Sequence, residues 1–113
     1  MYPIGYTLIV HVSKTKEFDS WLKGLKDERA KSAILLRILR IQEKDLLGDF
    51  KRLAPNVYEL RIHLKPGYRI YFTYRNNQLL LLLGGGTKRT QSRDIAKYKR
   101  IIKALNNDRN LNL

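Results

Sequence analysis

"NVYELRIHLKPGYRIYFTYR", residues 56–75, carries the clearest structural pattern in the chain. Two alternating runs flank a Lys65-Pro66-Gly67 break, the pattern of a β-hairpin with one buried face. In the first run Tyr58, Leu60, Ile62 and Leu64 share one side, while Glu59, Arg61 and His63 share the other. In the second, Tyr68, Ile70, Phe72 and Tyr74 alternate with Arg69, Tyr71, Thr73 and Arg75. A three-residue loop ending at Gly67 predicts Leu64 opposite Tyr68, Ile62 opposite Ile70 and Leu60 opposite Phe72. The same register sets His63 opposite Arg69, Arg61 opposite Tyr71 and Glu59 opposite Thr73. One sheet face is then core. The other is polar and open at one side, and its grouping of Arg with Tyr suits phosphate contacts and base stacking.

Working outward, "FKRLA" (50–54) reads as a short strand and Pro55-Asn56-Val57 as a turn. After the hairpin comes an Asn76-Asn77 turn, then "QLLLLLG" (78–84) as a buried central strand. Gly84-Gly85-Gly86 reads as the flexible exit of that strand, turning the chain so that Lys88 and Arg89 approach a ligand. A nucleotide-binding P-loop is excluded by spacing, because Thr87 precedes Lys88 and Arg89 follows it. Residues 92–105 are expected to be helical, with Ile95, Tyr98, Ile102 and Leu105 on one side and a fraying "NNDRNLNL" tail.

Before residue 50 the period is helical. Phe18, Trp21, Leu22 and Leu25 form one stripe, which Thr15 or Ser13 can cap. Ala30, Ala33, Ile34, Ile38 and Ile41 form a second stripe, interrupted by Arg37 and Arg40, and residues 24–27 join the two as a helical hairpin. A strand is expected at Gly5–Val12. The reading is one α+β domain over residues 1–113: an N-terminal helical hairpin packed on an antiparallel sheet, followed by a short C-terminal helix.

Charge narrows the function. The chain holds 23 Lys and Arg against 10 Asp and Glu, a net charge of +13. Residues 1–49 carry nine cations and seven anions, whereas residues 50–113 carry fourteen and three. A field this lopsided attracts a polyanion, nucleic acid first. The absence of cysteine excludes disulfides and thiolate chemistry. With only His11 and His63 as imidazoles, no metal or other cofactor is expected. No membrane span or signal peptide is read, so a cytoplasmic location is expected.

"NVYELRIHLKPGYRIYF" followed by "LLLLLGGGTKRTQSRDI" resembles the RelE/ParE toxin superfamily of toxin–antitoxin systems, within it the HigB-like addiction-module killer subgroup. The likeness runs from about Phe18 to Tyr98. It implies a four-stranded antiparallel core and a toxin of a type II toxin–antitoxin system. The implied activity is ribosome-dependent cleavage of mRNA, and the implied partners are the ribosome, mRNA and a cognate antitoxin, a helix-turn-helix protein. By the same likeness Arg61 matches the cationic strand position, and Arg69 the "GYR" arginine at the scissile phosphate. Lys88 and Arg89 match the basic pair after the buried strand, and Lys51 and Arg52 the upstream basic strand. Arg93 joins Lys51 and Arg52 as an RNA-binding candidate.

Metal-independent RNA cleavage by a 2′-hydroxyl needs a base, an acid and cations around the crowded phosphorane. Arg61, Arg69, Lys88 and Arg89 offer charge, while Glu59, His63 and Tyr71 offer proton transfer. Glu59 has an alternative role as an ion-pair partner of Arg75 or Lys51. Two further functions stay open: a ParE-like gyrase inhibitor without chemistry of its own, and a non-catalytic nucleic-acid-binding module.

Overall fold

A computed structural model of the protein describes residues 11–44, 46–75 and 79–107. Its elements follow in the order β1 (His11–Lys14), α1 (Lys16–Gly24), α2 (Glu28–Lys44), β2 (Phe50–Ala54), β3 (Val57–Ile62), β4 (Tyr68–Arg75), β5 (Leu79–Thr87) and α3 (Gln91–Asn107). A single 3-10 turn, Lys88–Thr90, leads into α3. The fold is α+β as expected, with a strand ahead of the helical hairpin. Most of the strand expected at Gly5–Val12, the Asn76-Asn77 turn and the tail beyond Asn107 lie outside the described residues.

The five strands form one sheet in the order β1-β5-β4-β3-β2. It is mixed rather than antiparallel, because β1 pairs with β5 in parallel. The helical hairpin is the crossover that makes this possible, carrying the chain from one sheet edge to the other. Thr15 anchors its start. The Thr15 hydroxyl accepts from Phe18 N at 3.0 Å, capping α1, and donates to the Leu83 carbonyl at 2.8 Å.

Both faces of the sheet are covered. On one, Phe18 and Leu22 of α1 and Ala30, Ile34 and Ile41 of α2 pack on Leu60, Ile62, Ile70, Phe72, Leu80 and Leu82. These are the apolar stripes the sequence predicts. On the other face α3 lays Tyr98 and Ile102 over Val57, Tyr71, Leu81 and Leu83. That face was expected to stand open. It is instead a second core, because the α3 stripe of Ile95, Tyr98, Ile102 and Leu105 packs on it. With 17 residues, α3 is not the short helix expected.

Arg37, an apparent break in the α2 stripe, is a staple. Its guanidinium donates to the carbonyls of Leu47 (2.7 Å), Asp49 (2.6 Å) and Arg61 (2.9 Å). It thereby ties α2 to the chain entering β2 and to the end of β3.

The glycines also differ from expectation. Gly84, Gly85 and Gly86 are not a turn but the continuation of β5, paired with Tyr71, Ile70 and Arg69. A Cβ at Gly84 would strike Tyr98 Oη, one at Gly85 the Trp21 ring, and one at Gly86 the Asp94 carboxylate. Three residues without side chains let α1 and α3 seat large groups on opposite faces of one strand. The turn itself is made by Lys88–Thr90. There Thr87 N donates to Thr90 Oγ1 (3.1 Å), and that hydroxyl donates to Asp94 in the first turn of α3 (2.5 Å).

Candidate nucleic-acid interface

The register of β3 on β4 sets the site. Ile62 pairs with Tyr68, Arg61 with Arg69, Leu60 with Ile70, Glu59 with Tyr71 and Tyr58 with Phe72. The connection therefore spans five residues, His63 to Gly67, and not three. Within it Leu64 N bonds the Ile62 carbonyl at 2.9 Å, and Gly67 N bonds the Leu64 carbonyl. The Leu64 backbone is thus used inside the loop and not in the ladder. Gly67 occupies the left-handed region at φ 87°, where a side chain is strained. A shift of two residues preserves every inward and outward assignment, so the predicted core face stands while each predicted pair changes.

The consequence is that Arg61 and Arg69 face each other across the ladder. Glu59 lies on the same strand and face as Arg61, fully buried. Its Oε1 is 3.0 Å from Arg61 Nε and 3.8 Å from Arg69 Nε. Its Oε2 accepts from Gln91 Nε2, at the start of α3, at 2.6 Å. Glu59 is thus an ion-pair partner, the alternative role read from the sequence, with Arg61 and Arg69 as its described partners. Arg69 is itself buried at 8% exposure, contrary to the open-face reading, and donates to the Tyr68 carbonyl at 3.3 Å. Arg61 is the more accessible of the two, its side chain 30% exposed.

The Lys88–Arg89 pair comes to the same place. Lys88 N donates to the Gly67 carbonyl at 2.7 Å. A Cβ at Gly67 would stand 3.5 Å from Lys88 Cβ and 3.7 Å from Arg69 Nη1, so these side chains are neighbours. Lys88 and Arg89 are exposed, and with Pro66 and Thr87 they line an open depression. Lys51 is exposed on edge strand β2, opposite Glu59 and on its face. Arg93 is exposed two residues beyond Gln91 on α3. Arg52 is not part of this group: it pairs with Tyr58 and belongs to the opposite face.

The three proton-transfer candidates fare differently from the cations. His63 lies outside the ladder, exposed, its Nε2 paired with Asp49 and not placed opposite Arg69. Tyr71 is fully buried and stacks on Tyr98, ring centroids 5.0 Å apart. Burial, with Glu59 and Asp94 nearby, raises its hydroxyl pKa well above the usual value, Arg69 opposing. Glu59 has no exposed surface. Sequence alternation put all three on the Arg61/Arg69 side. It could not show that α3 would seal Glu59 and Tyr71, or that the loop would take His63 out of register.

Sequence reasoning also missed Gln91 and Glu17. The Tyr98 hydroxyl donates to Glu17 Oε2 at 2.5 Å, and Lys97 Nζ pairs with the same oxygen at 2.5 Å. These contacts bind α3 to α1 across the β5 glycines. Burial pushes the Glu17 carboxyl upward, but the hydrogen bonds from Lys97 and Tyr98 outweigh it and leave it below its ordinary value. Among the described residues no cluster of three or more His, Asp or Glu side chains could hold a metal ion. No described helix is long and apolar enough to cross a membrane.

A mixed sheet clasped between a helical hairpin and a long C-terminal helix, with cations gathered at one end of its central strands, defines the class. The chain belongs to the family described as "Phage derived protein Gp49-like (DUF891)", whose sequence profile matches residues 20–106. It is 41% identical over 98 residues to a Haemophilus influenzae protein named only "Uncharacterized protein", covering 87% of this chain and 98% of that one. Its fold is similar to that of a chain in the crystal structure of the RelB–RelE antitoxin–toxin complex from Methanococcus jannaschii. The TM-score is 0.57 at 20% identity, over 72% of this chain and 95% of that one.

Proposed function

We propose that this protein is the toxin of a type II toxin–antitoxin system and acts as a ribosome-dependent, metal-independent mRNA endoribonuclease. The observation that carries the reading is the convergence of Arg61, Arg69 and the Lys88–Arg89 turn. Four cations on a β-ladder and the turn clasped to it offer an anion several donors at fixed spacing. Guanidinium forks suit the paired oxygens of a phosphodiester. In the cleavage step the 2′-hydroxyl gives its proton to water as its oxygen bonds to phosphorus, the 5′-oxygen departs and takes a proton from water, and these cations stabilise the charge that builds on the non-bridging oxygens. Lys51 and Arg93 extend the basic track along the strand. The fold likeness to a chain of an antitoxin–toxin complex supports a protein partner, and the basic half is the surface for it to cover. A helix-turn-helix antitoxin with an acidic segment fits that role.

One observation favours a second reading. Burial keeps Glu59 and Tyr71 from a substrate, and His63 is engaged by Asp49. A gyrase-directed inhibitor needs the charged surface and no proton transfer. The experiment that separates the two is primer extension on mRNA from a reconstituted translation reaction, with a gyrase supercoiling assay beside it. New 5′ ends with unchanged supercoiling support the nuclease; inhibited supercoiling with intact mRNA supports the alternative.

A further inference from the structure

We infer that Glu59 is a positioning residue, a buried carboxylate that holds Arg61 and Arg69 side by side and locks them to the start of α3 through Gln91. The inference rests on reading this cleft as a phosphodiester site and gives Glu59 a task other than proton transfer. Arg61 and Arg69 are direct cross-strand partners, and like charges in that position repel. Left alone, the two guanidinium groups would splay apart. Glu59 Oε1 accepts a hydrogen bond from Arg61 Nε at 3.0 Å and lies 3.8 Å from Arg69 Nε, which has no hydrogen-bond partner among the described residues, so one oxygen bonds the first arginine and faces the second as an ion pair. The contact to Arg61 runs through Nε, and so does not consume the terminal nitrogens that grip two phosphate oxygens.

The second oxygen accepts from Gln91, the first residue of α3, directly after the Lys88–Thr90 turn. One carboxylate thereby couples β3, β4 and the basic turn. Full burial at 0% exposure rules out contact with a substrate, so its effect on RNA passes through the arginines. Burying a carboxylate is costly unless it is paired and hydrogen-bonded. Here both requirements are met by the groups whose geometry the site needs.

The sign of one substitution separates positioning from plain charge. Glu59→Gln keeps the volume and removes a negative charge from the cleft. If Glu59 only diluted the positive field, RNA would bind more tightly. If Glu59 sets arginine geometry, RNA binds more weakly although the cleft has gained positive charge. The probe is a 2′-O-methylated single-stranded RNA oligonucleotide, titrated into the full chain. A second readout needs no RNA: the Nε–H resonance of Arg61, which donates to Glu59, and its exchange with water.

Glu59→Gln is expected to weaken RNA binding about tenfold and to abolish protection of the Arg61 Nε–H group. Gln91→Ala, which removes a single bond from a half-buried residue, is expected to weaken binding by a smaller factor and leave the chain folded. It keeps the test decisive should Glu59→Gln fail to fold. Tighter or unchanged RNA binding in the folded variants, or unaltered Nε–H protection, overturns the inference. A wild-type chain that binds no RNA but shows Glu59-dependent protection overturns the RNA reading and leaves the positioning role standing.

Discussion

Arg61 and Arg69 stand directly opposite each other on adjacent antiparallel strands, and a fully buried Glu59 carboxylate lies against the Nε atoms of both. Two like charges at this spacing cost stability unless something compensates them. Glu59 does, and the cationic end of the sheet is built around it.

Arg69 therefore has two roles that mutation exposes together. It is buried at 8%, and its loss leaves Glu59 with one partner fewer. Arg69→Ala is expected to destabilise the fold by about 1–3 kcal/mol. An exposed residue would cost less than ~0.5 kcal/mol. Chemical denaturation of the purified variant measures this, and wild-type stability in Arg69→Ala would contradict the burial.

The β5 glycines are steric requirements. Gly84→Ala drives a methyl group onto Tyr98 Oη and should cost about 1–3 kcal/mol or more, as overpacking does. Gly24→Ala, at the end of α1, meets nothing within 4 Å and should be neutral or slightly stabilising. Melting temperatures of the two variants test the contrast directly.

Glu17 gives the fold part of its acid sensitivity. Its carboxyl is held below its ordinary value, burial opposing and the bonds from Lys97 and Tyr98 prevailing. A group lowered in the folded state contributes stability that is complete above its unfolded value and is lost as pH falls through the folded one. Glu17→Gln should lower stability at neutral pH and flatten the decline in acid. Urea midpoints across the acid range will show whether the two curves converge at low pH, as required.

RNA affinity should fall steeply with salt. If about five of Lys51, Arg61, Arg69, Lys88, Arg89 and Arg93 meet phosphates, log K against log salt should slope near −3 to −4 for single-stranded RNA. Lys88→Ala should reduce that slope by roughly 0.7. A flat response points to a protein target.

Much of this molecule was legible in its sequence. The stripes of α1, α2 and α3, and the inward set Leu60, Ile62, Ile70 and Phe72, follow from periods of 3.6 and 2 and appear as read. What failed depends on more than one segment at a time. The loop between β3 and β4 took five residues and not three, which alternation alone cannot distinguish because both registers bury the same face. The glycines of β5 looked like a turn because composition does not reveal that Tyr98, Trp21 and Asp94 arrive from distant helices to fill the space. Glu59, Arg69 and Tyr71 read as surface because nothing local shows that α3 closes over them. The convergence of Arg61, Arg69 and Lys88 survived these errors, since parity set the faces and Gly67 joins the two loops.

Whether this cleft grips an RNA phosphodiester is tested most directly by mRNA cleavage in reconstituted translation with wild type, Arg69→Lys and Arg52→Ala. All three must first be shown to be folded. Arg52 is as exposed and as cationic as a binding residue should be, but it belongs to the opposite sheet face. Arg52→Ala should cleave at close to the wild-type rate. Arg69→Lys should lose roughly a hundredfold, because an ammonium cannot hold two phosphate oxygens as a guanidinium does. Equal cleavage by all three proteins, or loss in Arg52→Ala with Arg69→Lys unaffected, would rule out phosphate binding at this cleft.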